Sequence, residues 1–193
     1  PGLIQNSQPT RYYAVIDETG QGLDQVVEQR LDAQRREQVR DQLETMVTLM
    51  RGEEAAADAL AVFDEDPDGF SRLNEAVEAA GLGDAGSALG TERQDRVLVA
   101  APAQTIEALR PYLNGDQMIA TPEGDRALFA AVFLRPAQDG APVRIEYHSA
   151  NVTSDSVKNV VRDVLRSHFR EQAFMERGLS PEALDQVMEI SPE

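Results

Sequence analysis

The chain has 193 residues, 41% of them hydrophobic, 5% aromatic and none of them cysteine. That suits one domain with a core that needs no staples, and it excludes a disulfide framework, a thiolate nucleophile and any cysteine-based metal site. Its 34 acidic residues outweigh 18 basic ones to leave a formal net charge of −16, a field that repels phosphate backbones and anionic headgroups and so argues against nucleic acid and lipid surfaces as partners.

Cations or a basic protein patch suit such a field better, and its plainest use is a well-solvated surface. No run approaches the ~18 apolar residues of a membrane span. The sequence opens at Pro1 without an initiator methionine, which reads as a trimmed chain.

Residues 1–10 are mostly polar with two prolines and read as a linker. Arg11 to Asp17 (RYYAVID) is β-rich and stops at the turn signal Glu18-Thr19-Gly20, so it is expected to be the first strand. From Leu23 to Arg51 apolar residues recur at spacings of three and four, through Val27, Leu31, Val39, Leu43 and Val47, which predicts a long helix. Its middle, Asp32 to Gln38, is almost wholly polar. Such a stretch either projects as an arm toward a partner or is a solvated surface packed on its neighbour. Glu53 to Phe63 and Phe70 to Ala80 complete a helical insertion over about residues 22–82, closed by Gly81-Leu82-Gly83, and residues 83–94 read as loop.

The second half changes character. Arg96 to Pro102 is expected to be a strand, Ala103 to Leu113 a short helix, and Asp116 to Thr121 a strand stopped by Pro122. Ala127 to Leu134 (ALFAAVFL) is a continuous apolar run, the pattern of a central strand. After a turn over Pro136 to Pro142, Val143 to Tyr147 alternates with period two, as a strand with one wet face does. Thr153 to Arg177 is the clearest helix, with caps at Thr153, Ser154 and Asp155 and a stripe through Val157, Val161, Val164 and Leu165. Gly178 is placed to end it, and Ser180-Pro181-Glu182 to start a last helix. The expected fold is therefore a single α/β domain over residues 11–193, a mixed sheet of about five strands with helices, carrying the helical insertion.

The search for catalytic patterns finds no G-x-S-x-G, no H-E-x-x-H and no P-loop, and although Gly81-Leu82-Gly83-Asp84-Ala85-Gly86 has the G-x-G-x-x-G spacing, Gly81-Leu82-Gly83 follows a helix rather than a strand and so does not read as a dinucleotide loop. His168 sits beside the apolar stripe of its helix and reads as a packed histidine. His148 is expected to follow a strand. Its neighbour Ser149 does not make it a catalytic pair, because strand neighbours point to opposite faces. An acid/base pair such as Asp17 with Glu146 stays formally open in a chain with 34 carboxylates.

One local pattern carries specific chemistry. Asp64, Asp66, Asp68, Gly69 and Glu75 match D-x-D-x-D-G-x5-E, the spacing of an EF-hand calcium loop. Three short carboxylates would converge on a hard cation, Gly69 would make the turn, the Phe70 carbonyl would face inward and Glu75 would close the site. Ser71 and Pro67 depart from that pattern, and no second loop pairs with it. The competing reading is an acidic interhelical turn with Asp68 as an N-cap. Asn151-Val152-Thr153 has the form of a glycosylation sequon and also of a helix cap.

Two stretches carry a resemblance. Tyr12-Tyr13-Ala14-Val15-Ile16-Asp17-Glu18-Thr19-Gly20 resembles the opening "AV-hydrophobic-D-x-[ST]-G" of the extracytoplasmic domains of ABC-2 type transporter permeases of the sodium-export (NatB-like) kind. Tyr147-His148-Ser149-Ala150-Asn151, then Ser154-Asp155 and a helix ending Arg177-Gly178-Leu179-Ser180-Pro181-Glu182-Ala183-Leu184, looks like the same domain's return to the membrane. The strands expected at Val97 to Pro102 and Asp116 to Thr121 fit the same domain as its sheet body, whereas the insertion at 22–82 has no counterpart in it.

The resemblance implies a non-catalytic domain on the outer side of the cytoplasmic membrane, with transmembrane helices before Pro1 and after Glu193 and a separate cytoplasmic ATP-binding subunit. An envelope protein could serve as a further partner. Permeases of this type work as pairs of membrane subunits, so a homodimer is open. The alternative is a free-standing calcium-modulated interaction domain using Asp64 to Glu75.

Overall fold

A computed structural model describes residues 10–66, 70–83, 96–122, 124–137, 140–150 and 156–178. Most of the expected linker, the loop over 84–94, Pro67 to Gly69, the caps from Thr153 to Asp155, and the last helix from Ser180 lie outside them. The described elements are β1 Arg11–Asp17, α1 Leu23–Arg51, α2 Glu53–Phe63, α3 Leu73–Ala79, β2 Arg96–Leu98, α4 Ile106–Asn114, β3 Ala130–Arg135, β4 Arg144–Ser149 and α5 Ser156–Glu176. The chain divides into two compact units, residues 29–94 and the remainder.

The larger unit is built on a mixed sheet in the order β2-β1-β3-β4. β1 pairs in parallel with both β2 and β3, and β3 pairs antiparallel with β4. The fold is thus α/β, with four strands among the described residues rather than about five. The apolar run takes the central place expected of it, since Ala130, Ala131, Val132, Phe133 and Leu134 are all fully buried. On one face Leu109 and Leu113 of α4 pack with Ala14, Ile16, Ala131 and Phe133. Burial of each such Leu or Phe contributes about 1.5–3 kcal/mol. The opposite face is also closed, because Tyr13, Val15, Val132 and Leu134 are buried too.

The expected strand at Asp116 to Thr121 does not form, for a local reason. α4 ends at Gly115, held at φ 82°, and the Asp116 and Gln117 amides both donate to the Pro111 carbonyl, at 2.8 and 3.0 Å. Those donors are then lost to any ladder. A single antiparallel bridge between Ile119 and Arg126 remains. Pro111 stands inside α4, where it lacks the amide that would donate to the Glu107 carbonyl, and Thr105 caps the start of the helix by accepting from the Ala108 amide.

The smaller unit is helical. Gly52, at φ 93°, separates α1 from α2. Leu43 and Val47 of α1 pack with Ala56, Ala59 and Phe63 of α2 and with Ala76 of α3 in one core. α3 begins at Leu73, later than the expected Phe70. The Phe70 carbonyl accepts from the Leu73 amide, and the Ser71 amide is drawn to Asp66 Oδ2 at 3.0 Å, so Phe70 to Arg72 form a turn instead.

Candidate functional site

Asp17 ends β1, and its carboxylate organises the turn into α1. Oδ1 accepts from the Thr19 amide at 2.8 Å and from Thr19 Oγ1 at 2.6 Å, while Oδ2 accepts from the Leu23 amide at 2.9 Å. The Asp-x-Thr-Gly turn therefore joins the central sheet to the first turn of α1, where unpaired amides need an acceptor. Burial pushes the Asp17 carboxyl up, but hydrogen bonds from Thr19, Leu23 and Gly22 outweigh it and hold the group below the usual carboxylate range.

Next to it, at the carboxyl ends of β1 and β3, lies a chain of alternating charges. Arg135 donates through Nε to Glu18 at 2.7 Å and through Nη1 to Glu146 at 2.6 Å. Arg144 meets the other oxygen of Glu146 at 2.9 Å. The Glu18 hydrogen bond comes first, with the charge of Glu146 behind it, in keeping Arg135 firmly cationic. These groups line a cavity of about 680 Å³ together with Pro136, Ala137, Ala141 and Val143. Sequence reasoning did not single out Arg135 or Arg144. The signal available was a basic residue closing the apolar run of β3 and another opening the alternation of β4.

Asp17 and Glu146 are not brought together. Asp17 aligns with Leu134 and Glu146 with Phe133, its neighbour in β3, so the two carboxylates belong to opposite faces of the sheet. His148 lies inside β4 rather than after it, because the strand runs on to Ser149. Its ring stands edge-on to Phe133 at 5.5 Å, and its Nε2 is 4.0 Å from Glu146. Ser149 faces the other way and donates to the Phe129 carbonyl at 2.7 Å. His168 packs edge-on against Phe169 at 5.4 Å.

Of the residues expected to hold calcium, Asp68 lies outside the described residues. The others have protein partners. Asp64 pairs with Arg36 at 3.4 Å and Arg40 at 3.2 Å, and Glu75 pairs with Arg72. Asp66 accepts from both the hydroxyl and the amide of Ser71, which lower its pKa. Phe70 lies under the Arg35 guanidinium at 4.9 Å.

Arg36 is the hub of this turn. It covers the Phe63 ring at 4.2 Å and donates to the Phe63 and Asp66 carbonyls at 3.1 and 2.8 Å. The polar stretch of α1 is thus not uniformly a projecting arm, since Arg35 and Arg36 turn inward onto this turn while Asp32, Ala33, Gln34, Glu37 and Gln38 are exposed.

Comparison of the chain with protein-family models, with curated proteins and with solved structures gives no match.

Proposed function

We propose that the chain is a non-catalytic extracytoplasmic domain of an ABC-2 type transporter permease, contributing to gating, partner docking or subunit contact in ATP-driven export. One observation carries the reading. The two stretches that resemble that family are far apart in sequence, yet they become β1 and β4, the strands flanking β3 in one sheet. The register aligns Tyr13, Ala130 and Ser149 across them, so the chain enters β1 and leaves β4 at the same end of the sheet. That is a suitable arrangement for a domain looped out between membrane segments. The Asp-x-Thr-Gly motif has a structural task in this reading, since Asp17 commits its oxygens to Thr19 and Leu23.

The test is to sequence the parent reading frame beyond both ends. An apolar segment of ~20 residues shortly upstream and several more downstream are expected. A stop codon directly after Glu193, with no apolar segment upstream, overturns the proposal.

A further inference from the structure

In the sheet order β2-β1-β3, the chain leaves β1 to one side to form β2 and then crosses to the other side to form β3. Connections that diverge from two neighbouring parallel strands leave a crevice outside their carboxyl ends, the usual place for a ligand in an open α/β sheet. Here that boundary falls between β1 and β3, and a cavity of about 680 Å³ lies at their carboxyl ends, lined by Glu18 just after β1 and otherwise by residues of the β3–β4 hairpin, from Arg135 to Glu146. Its size is within the range of about 300–1,000 Å³ typical of small-molecule sites.

The charges in the lining are not equally engaged. Arg135 is held by Glu18 and Glu146 through three of its nitrogens. Arg144 touches Glu146 through Nη2, and its side chain is 68% exposed. A guanidinium has five donors in a planar fork, so this contact positions Arg144 and leaves much of the fork for a second acceptor. Glu146 also limits the charge that can join it. A dianion would meet that carboxylate and the net charge of −16, whereas a monoanion meets far less repulsion once salt screens the field beyond about 8 Å. The rest of the wall, Pro136, Ala137, Ala141 and Val143, offers apolar surface beside the guanidinium.

We infer that this cavity binds a small monocarboxylate with an apolar body, its carboxylate on Arg144 and its body against Ala137 and Val143. The carboxylate is either that of a free short-chain acid or the C-terminus of a peptide. The inference goes beyond membership of a permease and stands whether or not that reading holds.

The test uses the full 193-residue chain in an NMR chemical-shift titration with isobutyrate, N-acetyl-alanyl-alanine, the same dipeptide as its C-terminal amide, and inorganic phosphate. At least one of the two carboxylates is expected to give saturable shifts at Glu18, Ala137, Val143 and Glu146, and the tighter of the two identifies the source. Arg144→Ala is expected to weaken binding about tenfold or more, while Arg110→Ala, an exposed arginine outside the cavity, leaves it unchanged, and the amide gives no saturable shift. The inference is overturned by the absence of saturable shifts with both carboxylates, by binding unaltered in Arg144→Ala, by equal binding of the amide, or by phosphate binding more tightly than either acid.

Discussion

The Leu23 amide donates to Asp17 Oδ2 at 2.9 Å, six positions back along the chain. This bond ties the end of the first strand to the first turn of α1, and Leu23 itself is buried. Removing the carboxylate leaves the Thr19 and Leu23 amides without their acceptor. Asp17→Ala is expected to lower unfolding stability by about 1–2 kcal/mol, as loss of a good cap does, read by urea denaturation at neutral pH.

The same group sets a pH dependence. Its folded pKa lies below the unfolded value of about 3.9. Its stabilising contribution is therefore complete above about pH 4 and is lost as the pH falls through the lower folded value. The stability difference between the native chain and Asp17→Asn should accordingly shrink below about pH 4. Denaturant midpoints measured from pH 6 down to pH 3 check this, and a difference that stays constant would show that the charge of Asp17 has no part in it.

Arg36 joins α1 to the turn after α2 while its side chain is only 13% exposed. Arg36→Ala would strip the Phe63 and Asp66 carbonyls of a charged donor and uncover the Phe63 ring. The expected loss is about 2–3 kcal/mol within residues 29–94. Arg36→Lys should recover little of it, because an ammonium cannot reproduce the fork. Recovery of full stability by lysine would point to charge alone as the contribution of Arg36.

Phe63 is fully buried in the helical core. Phe63→Ala should cost about 3–5 kcal/mol. Hydrogen exchange is the direct readout: α2 and α3 amides are expected to lose protection while those of β1 and β3 keep theirs.

At the acidic turn, a cation would have to compete with Arg36 and Arg40 for Asp64 and with Arg72 for Glu75. Calcium up to about 1 mM, enough to fill an ordinary sensor loop, is therefore expected to leave the melting temperature unchanged. A rise with calcium that magnesium does not reproduce would establish Asp64 to Glu75 as a cation loop.

Much of this architecture is written locally and was legible. The limits of α1 and α2 follow from two apolar stripes and one glycine, because Gly52 sits at φ 93°, where the Cβ of other residues is strained. The uninterrupted apolar run of β3 announced a strand covered on both faces, since a residue can alternate inward and outward only if one side is wet. The apparent strand at Asp116 to Thr121 misled because its first two amides were claimed by the Pro111 carbonyl, a competitor that composition does not reveal.

The candidate site belongs to the other class. Glu18 and Arg135 are separated by 117 positions, and nothing in the neighbourhood of either names its partner. Asp17 and Glu146 looked like two available carboxylates until the register put them on opposite faces. The polar run from Asp32 to Gln38 gave no sign that Arg35 and Arg36 would lie over Phe70 and Phe63. Periodicity and turn chemistry act over a few residues, so the sequence by itself determined most of the elements, their buried faces and the excess of negative charge. Strand order, register and the pairing of distant charges depend on how those elements pack, and only the tertiary structure decided which arginine each carboxylate would meet.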